Sequence, residues 1–145
     1  MPAAASVPAP QARKPLADAD AWCDERTGDV FRKIGDGWHE ISGEGEGEYV
    51  DETAYRLYWR GRLDRDKRND MVFTTACTPV QCEYLFYVQC ADGTFSRVFT
   101  TTATNMVIKP QRKTWAHVRY SAITDEVNGR YRKEWMTAAL GVDLR

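Results

Sequence analysis

Tyr55, Leu57 and Trp59 alternate with Arg56, Tyr58 and Arg60, a period-two pattern that predicts a strand with one apolar face. The alternation returns at Trp115–Ile123, where Ala116, Val118, Tyr120 and Ala122 oppose Trp115, His117, Arg119 and Ser121. Glu83–Cys90 (EYLFYVQC) is apolar on both sides and predicts a central strand covered on each face. Shorter runs at Trp22–Glu25, Val30–Ile34, Trp38–Ile41, Met71–Ala76, Thr94–Thr102 and Met106–Ile108 also read as strands. Between several of them lie Thr27-Gly28-Asp29, Gly35-Asp36-Gly37 and Ala91-Asp92-Gly93, which supply the positive φ that tight hairpins require. Arg130–Leu140 reads differently. It holds good helix formers, no Pro or Gly, and Gly141 at the position of a C-terminal cap, so it predicts a terminal helix.

These elements predict a mainly β chain, an antiparallel barrel or strongly curved sheet of about eight short strands closed by a C-terminal helix. An α+β fold is the alternative if Asp51–Arg62 is helical, since Ala54, Leu57 and Tyr58 also fall at helical spacing. Residues 1–16 are rich in Ala and Pro and offer little to bury. They read as an extended tail that orders only against a partner. Residues 17–145 read as a single β-rich domain, since 145 residues suffice for one core and not for two.

Net charge is −1, but it is unevenly spread. Residues 1–52 carry five Lys/Arg against twelve Asp/Glu, residues 53–96 six against five, and residues 97–145 nine against four. Such asymmetry suits a protein that meets charged partners. No apolar run approaches the ~18–20 residues of a membrane span, and MPAAASVPAP lacks the basic start and apolar core of a secretory signal. The expectation is a soluble, intracellular protein without membrane insertion.

The cysteines are Cys23, Cys77, Cys82 and Cys90, with no C-x-x-C, and the two histidines stand alone. That spacing does not suit a zinc site, and no metal or cofactor is expected. In an extended Glu83–Cys90 segment, Cys82 and Cys90 lie about 26 Å apart, beyond disulfide reach. Cys77 and Cys82 can meet across the Thr78-Pro79 turn, but without a secretory signal buried free thiols are the expectation.

The chain contains no nucleophile elbow, P-loop, dinucleotide fingerprint or zinc-protease motif. The Gly43–Gly47 loop alternates with glutamates that would repel a phosphate. His39 beside Asp36 and Glu40 is the best acid–base cluster, because a carboxylate raises an imidazole pKa. Trp22, Trp38 and Trp59 fall on expected strands and could line one ligand cavity. The most distinctive stretch runs from Lys109 to Tyr120. Lys109, Arg112, Lys113 and Arg119 interleave there with Trp115, His117 and Tyr120, and no acid intervenes. Alternation places Trp115, His117 and Arg119 on one side, opposite the better core face of Val118, Tyr120 and Ala122, so Trp115 is expected outside among cations. Cations engage anionic groups while exposed rings stack or dock. Arg56, Arg60 and Arg62 extend the same surface in this reading.

The function that unites these features is a non-catalytic binding or assembly subunit, docking protein partners through the tail and the basic–aromatic surface. Two alternatives stand beside it. One is a small-ligand barrel with isomerase- or cyclase-like chemistry at His39. The other is a module for single-stranded nucleic acid.

Overall fold

The computed structural model describes residues 19–25, 30–34, 37–42, 49–51, 55–64 and 68–141, and for 24–25 and 30–51 the backbone only. The expected tail, residues 1–16, lies outside them. One helix, α1 (Ala19–Glu25), precedes ten strands: β1 (Val30–Ile34), β2 (Gly37–Ser42), β3 (Tyr49–Asp51), β4 (Arg56–Gly61), β5 (Asp70–Thr75), β6 (Cys82–Gln89), β7 (Phe95–Ala103), β8 (Asn105–Lys109), β9 (His117–Val127) and β10 (Arg130–Ala138). The chain is mainly β, as its alternations imply. Among the described residues no helix is long and apolar enough to cross a membrane.

The strands form two antiparallel sheets rather than a closed barrel. The larger has the order β3-β2-β1-β7-β6-β5-β4, and the smaller β10-β9-β8. At Thr104, the one residue between β7 and β8, the chain leaves the first sheet and enters the second. Ser121 braces this corner: its carbonyl accepts the Thr104 N–H at 2.7 Å, and its hydroxyl meets the Thr104 hydroxyl.

β6 is the central strand its sequence suggested. Tyr84, Phe86 and Val88 face the core between the sheets, with Val72, Ala103, Met106, Val118, Trp22 and Trp115. Leu85 and Tyr87 face the other way and join Met71 and Phe73. Tyr58 on the edge strand β4 links the sheets. Its hydroxyl donates to the Met106 carbonyl at 2.8 Å, and its ring meets Tyr84 edge-on at 5.0 Å. Burial, and secondly the Tyr58 hydroxyl, push the Tyr84 pKa above its ordinary value. The helical alternative for Asp51–Arg62 does not hold, because Arg56–Gly61 pairs with β5.

Three expectations are corrected. Trp22–Glu25 is helical, not a strand. A seven-residue helix is too short to persist unaided, and tertiary tethers hold it. Asp64 accepts the Ala19 N–H, the Trp22 indole donates to Ser96 Oγ at 2.8 Å, and Arg68 pairs with Asp20. Nor are the cysteines free thiols. Cys23 is bonded to Cys90, fixing α1 to the end of β6, and Cys77 to Cys82, closing the β5–β6 loop. Both pairs respect the separation of Cys82 from Cys90, since the partner of Cys90 lies on α1.

The third correction concerns the expected C-terminal helix, Arg130–Leu140, which is strand β10 up to Ala138. Asn128 and Gly129 have φ of 53° and 77°, the two left-handed residues of a tight hairpin turn. Beyond that turn Tyr131, Lys133, Trp135 and Thr137 alternate with Arg132, Glu134, Met136 and Ala138. Pairing with β9 along its whole length overrides helix propensity that is worth only tenths of a kcal/mol per residue.

Candidate functional site

The smaller sheet turns one side to the core and one side outward, and register decides which residue goes where. Met106 lies opposite Tyr120 and Ile108 opposite Val118, while Met136 and Ala138 continue the same rows on β10. Met106 and Val118 are buried, and Ile108, Tyr120 and Ala138 pack against the same core. The alternate positions therefore face out. Lys109 lies opposite His117 and Val107 opposite Arg119. Across the next strand pair Arg119 meets Thr137, and Trp135 lies opposite Ser121, which is itself buried against Thr104.

Trp135 is 50% exposed, and the Arg119 guanidinium sits 4.6 Å from its ring centroid. Such a stack contributes about 0.5–1 kcal/mol at an exposed site and holds two long side chains in one arrangement before a partner arrives. Val107, Lys109, His117, Arg119, Trp135 and Thr137 line a groove of about 490 Å³. Immediately beyond Lys109, Pro110, Gln111 and Arg112 line a second hollow of about 410 Å³, whose other wall includes Arg62 and Asn69. Lys113 is exposed in the connecting loop. Among the residues lining the two hollows the one carboxylate is Asp64. Asp64 is buried and directed at the start of α1. The surface is therefore cationic, with an indole at its centre.

Of the residues expected to bind a partner, Lys109, Arg112, Lys113, His117 and Arg119 are exposed on this surface. Arg62 joins them, as the sequence reading proposed, while Arg56 and Arg60 lie on β4. Trp115 does not belong to the surface. It is 3% exposed and part of the core, because β9 begins only at His117 and Ala116 donates its N–H to the Leu63 carbonyl at 2.7 Å. That bond draws residues 115–116 inward. A Cβ at Gly141, which has φ of 72°, would overlap Trp115 ring atoms, so the indole closes against bare backbone there. The exposed ring of the site is instead Trp135, which the sequence reading placed in a helix. The Asn128-Gly129 dipeptide and the alternation after it were the signals that would have found it.

Trp22 is buried in the core and Trp59 packs against that core, so both act as filling of the interior rather than as walls of a ligand cavity. The side chain of Trp38 lies outside the described residues. So do those of Asp36, His39 and Glu40, the acid–base cluster; His39 and Glu40 contribute backbone to β2. No family model, curated protein or solved structure matches this chain.

Proposed function

We propose that this chain is a non-catalytic binding subunit that docks an acidic protein surface on the outer face of β8, β9 and β10. The observation that carries the reading is the exposed Arg119–Trp135 stack set in a row of cations. Tryptophan and arginine are the side chains that most often dominate protein interfaces, and the flanking cations steer an acidic partner to them. Residues 1–16 remain, in this reading, a second docking element. In this reading the two disulfides favour an oxidising compartment.

A nucleic-acid reading has one specific support. Tyr131 and Trp135 are both exposed and, by strand parity, project to the same side with Lys133 between them, as stacked bases and phosphates would require. One experiment separates the readings. A fluorescent oligoglutamate peptide and an oligothymidylate of about twelve nucleotides are titrated against the wild type, Trp135→Ala and Arg119→Ala. The protein-docking reading expects peptide binding that Trp135→Ala weakens about tenfold or more. Tighter binding of the oligonucleotide, falling steeply between about 50 and 200 mM salt, moves the function to nucleic acid. Binding of neither probe removes the anion-docking assignment.

A further inference from the structure

The outer edge of the smaller sheet carries an inference independent of what its face binds. Among the described strands β10 has one neighbour, β9, and so ends the sheet. With nine residues it is longer than the other edge strands, β3, β4 and β8. It contains no Pro. Every residue from Arg130 to Trp135 is exposed, as are Thr124–Val127 on the strand behind it, so the β9–β10 hairpin stands clear of the rest of the described chain. A long edge with unpaired backbone groups is a template for another strand, and the bulge in this hairpin, between Arg132 and Lys133, leaves its unmatched residue, Thr124, on β9, so the run of β10 itself is unbroken. Edge charges normally guard against this, and Arg130, Arg132, Lys133 and Glu134 are placed to do so against most partners.

Against a second copy of the same strand they do the opposite. Two β10 strands related by a two-fold axis pair antiparallel, and facing residues must share a side of the sheet. With the axis at Lys133, Arg132 of each copy faces Glu134 of the other, giving two opposite-charge pairs, and Tyr131 of each faces Trp135 of the other, giving two aromatic pairs. The one like-charge contact is Lys133 with its own copy, long side chains free to turn apart in solvent. Moving the axis to Glu134 sets glutamate against glutamate and leaves no opposite-charge pair. Moving it to Trp135 places Glu134 against Met136. Moving it to Arg132 keeps opposite-charge pairs, Arg130 with Glu134, but shortens the ladder, sets arginine against arginine and loses both aromatic pairs. Cross-strand aromatic and opposite-charge pairs are what stabilise antiparallel ladders.

We infer that β10 is a homodimerisation edge, two copies joining their three-stranded sheets into one continuous six-stranded sheet with the axis at Lys133. Sedimentation velocity over a range of concentrations tests it on the full chain. The wild type should show a reversible monomer–dimer equilibrium. Arg132→Glu and Glu134→Arg alone should each weaken dimerisation about tenfold or more, because each turns two attractive pairs repulsive. The double variant Arg132→Glu/Glu134→Arg should restore it. Both positions are exposed, and unchanged circular dichroism and melting confirm that the variants fold. Under mild oxidation Lys133→Cys should give a covalent dimer, since facing Cβ atoms approach to about 4.5–5.5 Å, and Glu134→Cys should give far less. A protein that stays monomeric, a dimer indifferent to both charge reversals, or preferential trapping through Glu134→Cys overturns the proposal. So does a monomer whose β10 edge pairs with an added oligoglutamate strand instead.

Discussion

Replacing Trp115 by Ala should destabilise the fold by about 3–5 kcal/mol. The indole is 3% exposed and belongs to the core that includes Leu63, Ala116 and Leu140. An aromatic side chain buries about 150–250 Å², which at roughly 25 cal/mol per Å² corresponds to about 4–6 kcal/mol, an upper figure because the unfolded chain already hides some of that surface. A domain of this size is stable by about 5–15 kcal/mol, so the variant loses a large share of its stability. With a urea slope of about 2 kcal/mol per molar, the midpoint should fall by about 2 M. Far-UV circular dichroism is the suitable probe, because the substitution removes a fluorophore. Two companions sharpen the test. Gly141→Ala should also destabilise, through about 1–2 kcal/mol of left-handed strain and the overlap of its new methyl with Trp115. Trp135→Ala, at a half-exposed position, should stay within about 0.5 kcal/mol. A Trp115→Ala protein as stable as the wild type would mean that the ring stands on the surface and that the placement of residues 115–116 beside Leu63 is wrong.

Other outcomes can be measured alongside. Asp70→Ala should cost about 2–5 kcal/mol in the same urea assay, because buried Asp70 accepts the N–H groups of Leu63 at 2.8 Å and Gln89 at 3.0 Å and its removal strands both. Thiol titration of the denatured, unreduced chain should find no free cysteine, and four after reduction. Opening Cys23–Cys90, a separation of 67 residues, should cost about 4 kcal/mol, against about 2 kcal/mol for Cys77–Cys82 with its separation of five, by loop entropy. Tyr84→Phe should flatten the alkaline loss of stability. Burial and Tyr58 hold the Tyr84 pKa above 10.0, so the unfolded chain releases this proton first. Its contribution is intact below about pH 10 and falls as the pH rises towards the folded value; melting midpoints at about pH 9 and pH 11 compare the two proteins.

Most of the strand content was legible because a period of two needs only local information. The alternations at Arg56–Arg60 and His117–Ile123 are examples. What eluded the sequence were features decided by distant residues. α1 is helical because Asp64, Ser96 and Cys90 hold it, and no window around Trp22 contains them. Trp115 reads as outward if the strand is started at residue 115, but the strand begins at His117, and the bond from Ala116 to Leu63 turns residues 115–116 inward. The cationic part of the site is legible as a run from Lys109 to Arg119, while its aromatic member lies in a hairpin whose turn residues, Asn128 and Gly129, are followed by a segment of good helix formers that masks the strand.

The order in which the larger sheet is assembled also bears on how the chain matures. Most of its neighbours follow each other in sequence, but β1 joins β7 through Val30 opposite Ser96, across nearly half of the chain. Local hairpins close in microseconds, whereas contacts between distant segments govern the overall folding rate. Cys77 and Cys82 are brought together by the β5–β6 hairpin alone and can oxidise early. Cys23 meets Cys90 only after α1 has docked beside that late junction. The long-range disulfide thus serves as a molecular timestamp: during oxidative refolding, its appearance marks the moment when the beginning of the chain has been captured by the finished β5–β6–β7 meander.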